Sequence, residues 1–337
     1  MSAQPSVLCP QACAVVIVAW NCWDVLHDCL GALSQQTVQD FRVIVIDNGD
    51  ATTEQIASLE SYPRLVYARS PSNVGFSAAN NHGISLADDC TWIALLNPDT
   101  RAEPLWLETL LAAARRHPDC AMFASRLLQA WNPELLDGDG DRYHVSGFAW
   151  RDGFGLPAAN RSAAEREVFS PCAAAALYSR HALIEVGGFD EDFFCYMEDV
   201  DLGFRLRLAG YRCLLVPAAR VHHIGSGTTS RRSAFCVYHG HRNLVWVYVK
   251  NMPGLLFWIF LPFHLVLNIA GVLRYLPAGA ATAILRAKFD ALCMLARMLR
   301  KRRRIQQLRT VGLIGLLKAF DRCPVPGVGR ALNSLWK

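Results

Sequence analysis

Four short apolar runs, each stopping at a polar side chain, restrict this 337-residue chain to very few folds. Residues 14–19, 43–46, 65–68 and 92–96 are rich in aliphatic and β-branched side chains and do not alternate with polar ones, the pattern of strands buried on both faces. Between them lie amphipathic stretches. Val25, Leu26, Cys29, Leu30 and Leu33 share one helical face, Ile56 and Leu59 another, and Ile84, Leu86 and Ala87 end a third. The alternation predicts an α/β, doubly wound (Rossmann-like) sheet. Ligands of such sheets bind beyond the carboxyl ends of the strands, where the chain places Asn21, Asp47-Asn48, Asn73 with Gly75, and Asn97-Pro98-Asp99. One crevice is expected to collect them.

Each of these groups suits one part of a sugar nucleotide. Asp47 ends the second strand, where a carboxylate accepts the N3–H of a pyrimidine base; a turn-forming Asp-Asn-Gly explains the same residues. The loop 70–77, with Asn73, Gly75 and then Asn80, runs into a helix start whose free N–H groups favour a diphosphate, or form an ordinary cap. Asp99 is delivered at the end of a central strand, where a lone buried carboxylate costs several kcal/mol and a divalent cation, Mg²⁺ or Mn²⁺, relieves that cost. His222 and His223 bring imidazole to the same edge, with 225–228 following.

The densest cluster runs from Gly187 to Leu202. Asp201 and Arg205 read as a plain i,i+4 helix pair, which leaves Glu198 and Asp199 to point into the cleft. An ionised aspartate there takes the proton of an attacking hydroxyl. A solvated first helical turn is the bland alternative. A dehydrogenase is disfavoured, because residues 19–23 hold no G-x-G-x-x-G.

Composition decides where such an enzyme works. Twelve cysteines without C-x-x-C spacing read as small buried hydrophobes in a reducing compartment. Residues 12–20 lack the basic start and length of a secretion signal, so a cytoplasmic catalytic domain is expected. The charge of +5 is modest, and its excess sits in Arg297, Arg300, Lys301, Arg302, Arg303, Arg304 and Arg309, which suggests anionic lipid headgroups and not nucleic acid. Residues 255–273 are long and apolar enough to span a bilayer. A single crossing would put that basic stretch opposite the catalytic domain, so a hairpin broken near Pro262 or an in-plane seat is favoured. The expected division is 1–225, nucleotide-sugar domain, and 226–337, helical membrane-associating region.

Taken together, Val18-Ala19-Trp20-Asn21, Val45-Ile46-Asp47-Asn48, Asn73-Val74-Gly75-Phe76 with Asn80, Leu95-Leu96-Asn97-Pro98-Asp99, Gly187-Gly188-Phe189-Asp190, Glu198-Asp199-Val200-Asp201-Leu202 and His223-Ile224-Gly225-Ser226 resemble family 2 glycosyltransferases, in particular the bacterial rhamnosyltransferase-like branch. The resemblance implies a GT-A mixed sheet with a C-terminal helical membrane-associating segment. It implies Asp199 as catalytic base with Glu198 beside it, and Asn21, Asp47, Asn73, Gly75, Asn80 and Asn97 around the nucleotide sugar. Asp99 and His223 then hold a divalent cation, Mg²⁺ or Mn²⁺. Asn97 replaces the first aspartate of the family's Asp-x-Asp, and Ala173 a glycine that lies near the acceptor. The implied reaction is inverting transfer of L-rhamnose from dTDP-rhamnose to a saccharide or lipid-linked acceptor of cell-surface polysaccharide synthesis, at the cytoplasmic face of the plasma membrane. Another UDP- or GDP-sugar transferase, or a membrane scaffold without catalysis, is the alternative.

Overall fold

All four apolar runs are strands in the computed structural model, which describes residues 13–62, 64–225, 233–276 and 280–322. They are β1 (Cys13–Ala19), β2 (Phe41–Asp47), β3 (Leu65–Arg69) and β4 (Trp92–Leu96); β5 (Thr100–Ala102), β6 (Cys120–Gln129), β7 (Asn132–Gly138), β8 (Asp141–Tyr143), β9 (Ala149–Arg151), β10 (Arg166–Glu167), β11 (Ala175–Ser179) and β12 (Arg212–His223) follow. The helices are α1 (Trp23–Ser34), α2 (Thr53–Ser58), α3 (Gly75–Ser85), α4 (Trp106–Arg116), α5 (Arg180–Glu185), α6 (Glu198–Leu208), α7 (Ala234–Asn251), α8 (Gly254–Tyr275), α9 (Ala281–Cys293), α10 (Leu295–Gln307) and α11 (Leu313–Ala319).

Ten strands form one mixed sheet, ordered β10-β12-β6-β11-β4-β1-β2-β3, with β5 on β12 and β7 on β6. β3, β2, β1 and β4 are mutually parallel, and β11 turns the sheet antiparallel between β4 and β6. Successive side chains of a strand point to opposite faces. Accordingly Cys13, Val15 and Ile17 pack with α1 and α4, while Ala14, Val16 and Val18 pack with α3, α5 and α6. The order places the carboxyl ends of β1, β2 and β4 side by side, which is where the site forms.

Among the described residues, helices α7 to α11 follow the last strand and share a core with the preceding sheet region. Tyr143, Phe169, Phe193 and Phe204 share one apolar cluster with Trp246, Tyr248, Met298 and Phe320. A truncation after Lys250 therefore strips the catalytic body of part of its interior.

Two expectations for this region are corrected. First, α8 runs unbroken through Pro262. Proline inside a helix costs about 3 kcal/mol, but both halves are pinned to the same surface. Leu256 is buried in the shared cluster, and His264 stacks on Tyr248 at 4.0 Å with its Nδ1 2.7 Å from the Ser146 carbonyl. Second, part of the basic cluster faces inward: Arg297 and Lys301 pair with Asp192, Lys301 also with Asp190, and Arg302 donates to the Val249 and Met252 carbonyls. Arg300, Arg303 and Arg304 remain exposed. Asp201 and Arg205 form the expected i,i+4 helix pair. Both are buried at 2.8 Å, and Asp201 also meets Lys250 Nζ and Asn251 Nδ2, each at 2.8 Å.

Seven of the ten described cysteines are buried thiols, as expected; Cys293 is exposed, and Cys9 and Cys323 lie outside the described residues.

Candidate active site

At the end of β2, the Asp47 side chain has no exposed surface. It accepts from the Gly49 and Ala51 amides at 2.9 and 3.4 Å and from the Tyr67 hydroxyl at 2.8 Å, with Arg69 Nε 3.6 Å away. The carboxylate thus builds the turn after β2. Asn21, in the left-handed region at φ 47°, packs its side chain against Gly49, where a Cβ would lie 2.6 Å from the Asn21 Oδ1. Next to it, Asn48 and Asn73 cross-link two loops: Asn48 Nδ2 donates to Asn73 Oδ1, and Asn48 Oδ1 accepts from the Val74 amide, both at 3.0 Å.

At the start of α3, Gly75 N–H donates to Asn73 Oδ1 at 3.0 Å and Ser77 N–H to the Phe194 carbonyl at 3.1 Å. Gly75, at φ 86°, lies against Phe194 so closely that a Cβ would meet its ring and carbonyl below 2.8 Å. Asn80 is buried and donates to Phe76 O at 2.9 Å. This segment docks the 187–197 loop. Asn81 completes the dock, exchanging hydrogen bonds with Phe189 N–H and C=O at 2.8 and 2.9 Å.

Asp99 and His223 meet because β5 pairs antiparallel with β12, setting His223 opposite Thr100. His223 Nε2 lies 3.5 Å from Asp99 Oδ1, and its Nδ1 is 2.7 Å from Asp137 Oδ2. Strand alternation turns His222 away, to Glu103 at 3.3 Å. Burial opposes a charged His223, yet Asp137 and Asp99 outweigh it and hold its pKa above the usual value. Burial likewise opposes an ionised Asp99, and His223 overcomes it, holding that carboxyl low. The donor set fits a divalent cation. With Nδ1–H donated to Asp137, loss of the Nε2 proton would leave a lone pair beside the Asp99 oxygen, the carboxylate–histidine arrangement that orients metal-binding imidazoles. Among the described residues no three such side chains form a ready-made ligand group, so phosphate oxygens and water would complete the shell. Ser226, Gly227 and Thr228 lie outside the described residues.

The base candidate stands at the start of α6, after a loop held in unfavourable backbone. Phe194, Tyr196 and Met197 all have φ between 64° and 69°, a cost of about 1–3 kcal/mol each. α7 holds them there. Asn243 Nδ2 donates to the Phe193, Cys195 and Tyr196 carbonyls at 2.7–3.0 Å, and Arg242 to those of Asp192 and Phe193. Asp199 is half-buried and accepts from Val200 N–H at 2.8 Å and Ala173 N–H at 3.2 Å. Burial raises its pKa, partly offset by those amides and Arg151. Glu198, expected in the cleft, is only 7% exposed. Burial, then Asp199, Asp201 and Asp141, push its carboxyl far up, which opposes the ionised form a base needs and leaves Asp199 the better base candidate.

The two ends join across one short segment. Ala173 N–H binds Asp199, and the next carbonyl, Ala174, accepts from Asn97 N–H at 2.9 Å. Ala173, at the expected glycine position, is thus a backbone link between the base and the turn that carries Asp99. Sequence reasoning passed over Asp137, Asp141 and Arg151. The signal was present in Asp137-Gly138-Asp139-Gly140-Asp141, three carboxylates at period two, and all three are buried.

A parallel β3-β2-β1-β4 block with an antiparallel extension, carrying carboxylates at the ends of β2 and β4, defines the GT-A class of nucleotide-sugar glycosyltransferases. The chain belongs to glycosyl transferase family 2, whose family model matches residues 14–187. It is 30% identical over 257 residues to the N-acetylglucosaminyl-diphospho-decaprenol L-rhamnosyltransferase of Mycobacterium tuberculosis, covering 68% of this chain and 81% of that one. Its fold is similar to GalNAc-T7 solved with UDP, GalNAc and Mn²⁺, at TM-score 0.62 and 15% identity, covering 85% of this chain and 56% of that structure. It also matches the mannosyltransferase PcManGT from Pyrobaculum calidifontis, solved with GDP-Man and Mn²⁺, at TM-score 0.52 and 15% identity over 91% and 86% of the two chains.

Proposed function

We propose that the chain is an inverting, cation-dependent rhamnosyltransferase that moves L-rhamnose from dTDP-rhamnose to a lipid-linked saccharide at the cytoplasmic face of the membrane. The observation that supports this reading is the 173–174 link, whose backbone is hydrogen-bonded to Asp199 on one side and to the Asn97-Pro98-Asp99 turn on the other. The activity for which the mycobacterial relative is named supplies the rhamnosyl group and the diphospholipid acceptor class.

In this reading Asp199 accepts the proton of the acceptor hydroxyl as that oxygen attacks the anomeric carbon opposite the leaving diphosphate. Asp99 and His223 would hold the divalent cation, whose chemistry when bound is charge neutralisation on a diphosphate leaving group. Asp137 keeps the His223 ring in the required orientation. Asn21, Asn48 and Asn73 shape the base-side wall. A pyrimidine N3–H reaching Asp47 would displace Arg69, the longest of its contacts and 44% exposed, since the turn amides and Tyr67 lie closer. Thymidine and uridine diphosphates present the same N3–H, so a donor panel tests this reading. With a polyprenyl-diphosphate-linked N-acetylglucosamine acceptor, turnover is expected with dTDP-rhamnose and at least about 100-fold less with UDP-glucose, UDP-N-acetylglucosamine or GDP-mannose. Equal rates with any of these would replace rhamnose.

Membrane seating follows from α8 and α9. Trp258, Phe263, Val266 and Ile269 of α8, and Phe289 and Leu292 of α9, are each at least 57% exposed on the described surface. The opposite side of α8 is pinned by Leu256 and His264, which favours a helix lying in the interface over one that crosses it. Replacing Trp258, Phe263, Val266 and Ile269 by serine removes that face while sparing the core. The variant is expected to stop co-sedimenting with phosphatidylglycerol vesicles and to keep its melting temperature. Undiminished co-sedimentation contradicts the seat.

A further inference from the structure

One cation near the site has no part in the steps above. Arg151 stands opposite Asp141 in the β8–β9 hairpin. Its guanidinium pairs with Asp137, the carboxylate that holds His223 Nδ1. On the other side, Asp141 N–H donates to the Ser170 carbonyl at 2.8 Å. Ser170 in turn presses on Gly203 of α6, where a Cβ would lie 2.3 Å from the Ser170 side chain. Just beyond Ser170, the Ala173 amide binds Asp199. The hairpin therefore stands between the diphosphate end and the base end, and the Arg151 side chain is 30% exposed and not sealed away.

We propose that Arg151 is a positioning residue for glycosyl transfer, fixing Asp137 behind His223 at one end and, through the β8–β9 hairpin and Ser170, bracing the segment that holds Asp199 at the other. This rests on the reading of Asp199 as base and of Asp99 and His223 as the diphosphate-side residues. The titratable groups that interact electrostatically with Asp199 include Glu198 on its own helix, Asp141 of β8, Tyr178 of β11 and Cys172 of the adjoining loop. Arg151 is a cation that acts on it in the opposite sense. A guanidinium beside a carboxylate favours the charged form, so its loss makes Asp199 easier to protonate. The sign follows: a base that protonates more readily loses activity at higher pH.

The test is kcat/KM against pH for the wild type, Arg151→Gln, Arg151→Lys and Asp199→Asn, with dTDP binding in Mn²⁺ followed by calorimetry. In Arg151→Gln the acidic limb is expected to move to higher pH, so that kcat/KM on that limb falls about tenfold, and dTDP–Mn²⁺ affinity to fall several-fold. Arg151→Lys, which keeps the charge, is expected to return the limb to its wild-type position. A folded Arg151→Gln enzyme with an unmoved limb and wild-type dTDP affinity overturns the proposal. Should that variant not fold, Arg151→Lys decides: a limb at the wild-type position with most of the turnover supports it, and a folded but inactive enzyme overturns it. If instead Asp199→Asn keeps its turnover and its acidic limb, the base reading has failed and not the part given to Arg151.

Discussion

Replacing Asp199 by asparagine is expected to lower kcat by about 10²- to 10⁴-fold and to leave donor binding nearly intact. Asparagine keeps the shape and one of the two amide contacts, from Val200 or Ala173, but has no basic oxygen to take the acceptor proton. The wild-type pH profile carries the same information. Burial, outweighing the two amides and Arg151, lifts the Asp199 carboxyl above the ordinary carboxylate range. Turnover therefore falls as pH drops through that raised value, and the asparagine variant shows no such limb. Steady-state rates beside calorimetric donor binding check both points. A variant that turns over at the wild-type rate removes Asp199 from the chemistry.

The second large effect is on stability. Lys250 is fully buried, with its ammonium on Asp190 and Asp201 and 4.6 Å from the Phe193 ring centre. Lys250→Met keeps most of the volume and removes the charge. Breaking a buried pair from one side costs about 3–5 kcal/mol, moderated because Lys301 still reaches Asp190 and Arg205 still reaches Asp201. The same network seats the 190–197 loop, with its three left-handed residues, on α7 and α10. Activity should therefore fall along with stability, as the loop that leads into Asp199 relaxes. Denaturant melts measure the first and kcat the second; a variant as stable as the wild type shows that the pair does not hold the loop.

These two residues differ in how far the sequence discloses them. Asp199 follows from local pattern, a carboxylate at a helix start after a glycine-rich turn, and each strand-end residue from Asn21 to Asp99 is read in the same way. Lys250 is not disclosed, because its partners lie 60 and 49 positions away and a lone lysine in an apolar stretch does not name them. The same distance hides the start of α3, whose amides are used by Phe194 more than 100 residues on. Arg297, Lys301 and Arg302 read as part of a lipid-facing run because charge composition does not tell which face of a helix meets protein. Left-handed Phe194, Tyr196 and Met197 are invisible for another reason: the strain is imposed by α7 and not chosen by the local residues. The Asp137-Gly-Asp-Gly-Asp141 run was readable, since closely spaced carboxylates need cations once buried, and Arg151 and Arg126 supply them to Asp137 and Asp139.

The decisive observation is where a nucleoside diphosphate and Mn²⁺ settle when the full chain is crystallised with both. They are expected on Asp99 and His223, with the Asp199 carboxylate opening onto the same cavity beside Ala173. Density for the nucleotide at another face, or an Asp199 that opens onto a different side from it, would show that the acid and the cation ligands never serve one reaction.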